Sequence, residues 1–107
     1  MDLNINYREI INAEFVKRRK STSFYSLRKF AVDLGLKPMH LSYILRGKRG
    51  LSKDNALQVA SALGLKSFEL QSFRFLVSAQ SGRSMLERSL AKQWLKNNSM
   101  KNKNTKK

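Results

Sequence analysis

Apolar residues recur at intervals of three and four along most of the chain, which is the spacing of one helix face. The first run predicts a helix from Tyr7 to about Lys20, with these apolar residues near one side: Tyr7, Ile10, Ile11, Phe15 and Val16. Basic residues fill its last turn, from Lys17 to Lys20, where they suit the negative end of the helix dipole or could contact phosphate. No stretch alternates clearly as a strand does. The pattern therefore predicts an all-α fold of five to six helices.

Two short helices follow, joined by a turn that contains glycine. The first of them has apolar residues on one face: Leu27, Phe30, Ala31 and Leu34. Gly35 suits a tight turn, and Pro38 suits the first turn of a new helix because its missing N–H needs no partner there. The second helix is predicted from Pro38 to about Arg46, with Leu41, Ile44 and Leu45 on its apolar side, and Gly47 ends it. Two short helices with such a turn form a helix-turn-helix pattern.

Serine residues mark the starts of several helices, because a serine hydroxyl can accept from a free backbone N–H. Ser26 is the predicted cap of the first motif helix, and Ser52 caps a third helix that ends before Gly64. Ser67 is the predicted cap of a helix that runs to about Gln80, with an apolar side of Phe68, Leu70, Phe73, Leu76 and Val77. A last helix begins near Ser84 and carries Met85, Leu86, Leu90 and Trp94.

Two groups of aromatic residues remain open to more than one interpretation. Phe24 and Tyr25 are predicted to pack between the first helix and the motif, with base stacking as the alternative. The last two helices either extend the core or form a dimer surface anchored by Phe75 and Trp94, since large aromatic residues are enriched at interfaces.

The distribution of apolar residues also predicts the domain limits. Residues 1–96 form one helical domain, with a helix-turn-helix core at 27–65 and C-terminal helices at 67–96. Residues 97–107 contain mainly asparagine and lysine. Such a segment cannot bury enough surface to become ordered, so it is predicted to be a flexible basic tail.

The stretch from Leu27 to about Leu65 resembles the helix-turn-helix of phage repressors of the lambda repressor and Cro type. Ala31, Gly35, Leu41 and Ile44 stand where that family keeps a small residue, a glycine and two aliphatic residues. The following GKRGLS is similar to the family's basic loop with a serine that opens the next helix. Lys37 departs from the serine or threonine often found at that position. The resemblance implies a DNA-binding protein that acts as a dimer on a two-fold site.

Charge agrees with a polyanionic partner. The 107 residues include 22 Lys and Arg against 7 Asp and Glu, which gives a formal charge of +15. Nucleic acid is the commonest partner of so basic a chain, and an anionic membrane surface is the alternative. There is no cysteine, which excludes disulfides and thiolate chemistry. The start lacks the layout of a signal peptide, so we expect a cytoplasmic, nucleoid-associated protein.

Candidate DNA contacts centre on the second motif helix, because a major groove admits one helix and its base edges carry a readable pattern. The side chains predicted to face bases are Lys37, Met39, His40, Ser42, Tyr43 and Arg46. Candidate phosphate contacts surround them: Arg28, Lys29, Lys48, Arg49 and Lys53. The alternative is that these cations only keep the surface soluble.

No enzyme activity, metal or cofactor is predicted. The one histidine, His40, lies on the candidate DNA face, and Gly47 to Gly50 is too short for a phosphate-binding loop. The sequence therefore favours a sequence-specific double-stranded DNA-binding protein that regulates transcription. The alternatives are a non-specific nucleoid-type protein and an antitoxin-like or adaptor module that holds a partner chain.

Overall fold

The computed structural model describes the backbone of residues 5–105 and the side chains of residues 5–98. This part of the chain is entirely helical, without strands, which confirms the all-α prediction. Its helices are α1 (Tyr7–Ser21), α2 (Leu27–Leu34), α3 (Pro38–Leu45), α4 (Lys53–Ala62), α5 (Ser67–Ser81) and α6 (Met85–Thr105). Within these limits, no helix is long and apolar enough to cross a membrane.

The core forms where α1 to α5 meet, and α6 closes it by packing against α5. Its largest fully buried side chains come from several helices and include Tyr7, Ile11, Phe30, Leu34, Leu41, Ile44 and Phe73. The rings of Tyr7 and Phe73 meet edge to face at 6.2 Å between centroids, so α1 is joined directly to α5. The motif helices are therefore held by packing on both α1 and the helices that follow.

Three serine hydroxyls cap helices. Ser26 accepts from Lys29 N at 3.1 Å and Ser52 accepts from Asn55 N at 3.1 Å, as predicted. Ser84 accepts from Glu87 N at 3.0 Å at the start of α6. The predicted cap at Ser67 is wrong, because α5 begins at Ser67 itself after an N-cap at Lys66 that makes no side-chain capping bond. Ser67 has a φ of +52°, whereas a capping serine has extended backbone.

The aromatic pair before α2 divides between core and solvent. Tyr25 packs as predicted, with its ring centroid 6.2 Å from those of Phe15 and Phe30. The same prediction is wrong for Phe24, which lies fully in solvent. Because Tyr25 turns inward, the side chain that precedes it is directed away from the core.

Helix α6 packs on α5 through a few apolar residues. Ala91 and Leu95 are buried, and Trp94 stacks on Phe75 with ring centroids 4.1 Å apart. The sequence predicts an end of this helix near residue 96, whereas α6 continues to Thr105. No glycine or proline interrupts that segment. The side chains of residues 99–107 lie outside the described residues, and the flexible tail at 97–107 and the domain limits stay predictions.

Candidate nucleic-acid interface

The turn between α2 and α3 depends on Gly35. This residue has a φ of +75°, and its carbonyl accepts from Gln58 Nε2 at 3.0 Å. The same amide donates to Leu34 O at 2.9 Å, so a side chain of α4 satisfies the end of α2. A Cβ at position 35 would lie 2.0 Å from Gln58 Nε2. Glycine is therefore needed for its backbone conformation, and a Cβ there would also displace the Gln58 amide from the two carbonyls it bonds. The role of Gln58 was not predicted from the sequence.

Helix α3 has one fully buried side and one side open to solvent. Leu41 and Ile44 are fully buried, and Pro38 is the first residue of the helix. Since each residue turns the helix by about 100°, Met39 lies opposite the buried side. Its side chain is 67% exposed.

The other predicted base-facing residues lie around Met39. Lys37 and Arg46 are exposed at the two ends of α3, while His40, Ser42 and Tyr43 are partly exposed. The Arg46 guanidinium lies over the Tyr43 ring, 5.4 Å from its centroid. This cation–π contact directs Arg46 along the outer side of the helix.

The predicted phosphate-contacting cations lie on three segments that precede or follow α3 in the chain. Arg28 is exposed in the first turn of α2, Lys48 and Arg49 are exposed in the loop between α3 and α4, and Lys53 is the first residue of α4. Lys29 differs from them because its ammonium pairs with Asp33 at 3.4 Å. Arg28 is therefore the cation of α2 that is better placed for an external anion.

Arg8 of α1 holds the end of α3 and was not identified from the sequence. Its Nε donates to Ile44 O at 2.7 Å and its Nη2 donates to Arg49 O at 3.2 Å. The guanidinium also lies over the Tyr7 ring at 4.8 Å. A cation at this position suits the negative end of α3 and fixes the basic loop that follows. The partners lie 36 and 41 residues away, so local spacing carried no signal for them.

The Tyr7 hydroxyl joins the same loop to α5. It accepts from Leu51 N at 3.0 Å and shares a hydrogen bond with Ser81 Oγ at 2.8 Å. The residue is fully buried. The polar end of this core side chain therefore satisfies a loop amide that would otherwise be buried without a partner.

A polar network around Asp33 joins α1 to α2. The Tyr25 hydroxyl donates to Asp33 Oδ2, and this bond holds the pKa of Asp33 below its ordinary value, helped by Lys29 and Arg18. Burial raises the pKa of Tyr25, and the bond to the carboxylate raises it further. Arg18 Nε also bonds Glu14 at 2.7 Å, and its Nη2 donates to Ala62 O at 2.7 Å. Within the basic run at the end of α1, Arg18 thus has a structural role.

Away from α3, the described surface carries a basic run at the end of α1 and a cleft in which the two charges mix. This cleft of about 420 Å³ beside the start of α4 is lined by Lys53 and Arg83 but also by Asp54 and Glu87. Among the residues whose side chains are described, no group of three or more His, Cys, Asp or Glu could hold a metal ion.

Comparison with known proteins agrees with this geometry. The sequence model of a helix-turn-helix family matches residues 25–70, which include α2, α3 and α4. This part of the chain is a helix-turn-helix of the lambda repressor and Cro-like type, which confirms the resemblance. Neither the curated proteins nor the solved structures include a match.

Proposed function

Because residues 25–70 form a DNA-binding helix-turn-helix, we propose that the protein regulates transcription by reading a specific double-stranded DNA sequence with α3. The observation that supports this most is the outer side of α3. Met39 is 67% exposed there, and Tyr43 and Arg46 contact each other on the same side. These side chains have no part in the core, so they are available to base edges in a major groove.

The surrounding cations fit the same orientation. Arg28 lies in α2, Lys48 and Arg49 lie in the loop after α3, and Lys53 begins α4, so exposed cations precede and follow α3 along the chain. In helix-turn-helix proteins, contacts to phosphate fix the position of the recognition helix on the duplex. Arg8, which bonds the carbonyls of Ile44 and Arg49, would keep α3 and the basic loop in a fixed relation.

A salt-titrated binding assay tests the proposal. It compares random duplex with fragments selected from genomic DNA by the purified protein. We expect selected fragments to bind at least ~1000-fold more tightly than random duplex at physiological salt. Equal binding of all duplexes, with affinity that collapses as salt rises, would instead support a nucleoid-type protein. No binding at low salt would leave the partner-protein alternative.

A pair of variants separates base reading from phosphate contact. Arg46→Ala should relax the preference for the selected sequence by about 1–3 kcal/mol at one or two base pairs. Lys48→Ala should lower the affinity for all duplexes alike. It should also reduce the slope of log affinity against log salt concentration by about 0.9. Lys92→Ala on α6 is the control and should change neither quantity. A loss of preference in Lys48→Ala but not in Arg46→Ala would contradict the assigned roles.

We further propose that the protein binds DNA as a dimer joined through α6. Leu86 and Leu90 are 67% and 57% exposed, and Gln93 continues the same side of the helix. These three residues are uncharged in a chain of charge +15, so two copies can meet there without like charges in contact. A dimer would place two copies of α3 on a two-fold DNA site.

Matched substitutions on α6 test the dimer. Leu90→Asp should convert a dimer to a monomer in sedimentation analysis and weaken binding to a two-fold site more than to a half-site. Ser89→Asp adds the same charge to an exposed neighbouring position and should leave the mass unchanged. Equal masses for both variants and the unaltered protein would rule out this surface as the dimer contact.

A further inference from the structure

Phe24 is the most exposed large apolar side chain in the described part of the protein. It lies between α1 and α2 with a relative exposure of 103% and a φ of +62°. Bulky residues rarely adopt this left-handed conformation. The fold therefore holds an aromatic ring in solvent in a strained backbone geometry, which calls for a reason outside the core.

The neighbouring residues explain how the ring is held outward. Tyr25 is anchored by Phe15 and Phe30 and by its bond to Asp33. Ser26 is fixed as the cap of α2. With both following residues attached to the motif, the side chain of Phe24 has no path into the core. It projects beside the N-terminal end of α2.

Cationic residues flank Phe24 along the chain. Arg19 and Lys20 are exposed at the end of α1, and Arg28 is exposed in the first turn of α2. The start of α2 also presents backbone N–H groups, which favour anions. Positive charge does not favour the binding of an apolar protein surface, whereas it attracts the negative phosphates of a nucleic-acid backbone.

The docking of a helix-turn-helix indicates which part of a duplex meets Phe24. The first motif helix crosses the sugar–phosphate backbone beside the major groove that holds the second. A ring next to the start of α2 would then lie near this backbone, which also borders the minor groove. Phenylalanine is among the apolar side chains that enter minor grooves.

We propose that Phe24 packs against deoxyribose and base edges of the minor groove that flanks the major-groove site. This proposal rests on the proposed function, because it requires α3 to occupy the adjacent major groove. Phe24 adds an apolar contact outside the part of the interface that α3 forms. It extends the recognised site beyond the base pairs that α3 can reach.

Two substitutions separate the ring from the backbone conformation. Phe24→Asn removes the ring and keeps a residue that tolerates positive φ. It should lower affinity for a selected duplex by about 10- to 100-fold, the range expected from burying a Phe side chain. The thermal midpoint should be unchanged or higher. Phe24→Tyr keeps the ring and its apolar area and should bind within about twofold of the unaltered protein.

The salt dependence of binding distinguishes the loss of an apolar contact from the loss of a charge. Phe24→Asn should leave the log–log salt slope unchanged, whereas Arg28→Ala should reduce it by about 0.9. Hydroxyl-radical footprinting should show that Phe24→Asn loses protection of sugars in the flanking minor groove. Met85→Asn removes another exposed apolar side chain and should alter neither affinity nor footprint.

The outcomes distinguish this proposal from the proposed function. If the unaltered protein binds selected duplex and Phe24→Asn binds equally well with the same footprint, Phe24 has no DNA contact and only this proposal fails. If Phe24→Asn lowers both the affinity and the salt slope, the affinity was lost through charge, and the proposed apolar contact is wrong. If the unaltered protein fails to bind duplex at low salt, both proposals fail together.

Discussion

The helix-turn-helix and α6 use their apolar residues in opposite ways. In α2 and α3, residues at helical spacing such as Phe30, Leu34 and Ile44 are fully buried. In α6, the regular series of Leu86 and Leu90 lies in solvent, and the buried positions are Ala91 and Leu95. A short turn precedes both α3 and α6, so the difference lies in which apolar side of each helix meets its neighbours.

Packing against α5 explains the difference. Trp94 stacks on Phe75, and this contact turns Ala91 and Leu95 inward while Leu86 and Leu90 face away. Helical spacing shows that residues share a face, but it does not show which of two apolar faces meets the core. The buried apolar residues therefore stabilise a single chain, whereas the exposed ones are available to a second copy of the chain.

The largest expected effect comes from removing one leucine from each region. Leu41→Ala should lower the free energy of unfolding by about 2–5 kcal/mol, because it leaves a cavity in the core. Leu90→Ala should change it by no more than about 0.5 kcal/mol, because the side chain is exposed. Urea denaturation at protein concentrations that keep the chain monomeric measures both. Equal losses would mean that the two faces do not differ as described.

The Tyr7 hydroxyl connects the loop after α3 to α5, and its removal should have the next largest effect. Tyr7→Phe should cost about 1–3 kcal/mol, because Leu51 N and Ser81 Oγ lose a buried partner while the ring contact with Phe73 remains. Thermal or chemical unfolding measures the loss. Tyr43→Phe is the matched control, since that ring is partly exposed, and its change should stay within about 0.5 kcal/mol. Similar losses of unfolding free energy in both variants would show that the hydrogen bonds of the Tyr7 hydroxyl do not stabilise the fold.

The local pattern predicted the helix-turn-helix and not the contacts that hold it. Spacing, the glycine turn and Pro38 were sufficient for α2 and α3, because each acts on residues within one or two turns. Gln58, Arg8 and the Tyr7 hydroxyl bond backbone groups 23 to 44 residues away, and a backbone group has no side-chain signature in the sequence. Phe24 was misplaced for a related reason, since its direction follows from the anchoring of Tyr25.

A smaller effect, confined to the motif, is expected from Arg8→Lys. A single ammonium cannot replace the two donors that bond Ile44 O and Arg49 O, so stability should fall by about 1 kcal/mol. DNA affinity should fall several-fold, because the basic loop loses its fixed position. The salt slope should stay unchanged, because the charge is kept. Arg74→Lys, whose side chain bonds Gln71 one turn away on the same helix, should alter neither stability nor affinity.

The smallest effect is the pH dependence at the edge of the motif. Asp33 has a lowered pKa, so its stabilisation is present above about pH 4 and is lost as pH falls through its folded value. Tyr25 has a raised pKa, so its stabilisation is present below about pH 10 and is lost as pH rises through its folded value. The difference in stability between the unaltered protein and Tyr25→Phe should therefore be widest between these limits.

Urea denaturation across this pH range measures the difference, and the titration of the Asp33 carboxyl carbon by NMR checks its cause. The pKa of Asp33 should move upward in Tyr25→Phe. A constant difference from acid to neutral pH would show that the hydroxyl does not act through Asp33.

The bond from Leu51 N to Tyr7 has a kinetic consequence. Leu51 lies in the loop before α4, where amide hydrogens ordinarily exchange with solvent quickly. Here the acceptor is the end of a fully buried core side chain, so the amide reaches water only when α1 separates from α5. Its exchange rate should therefore follow opening of the whole core, and this one loop hydrogen should persist as long as those at the centre of the helices.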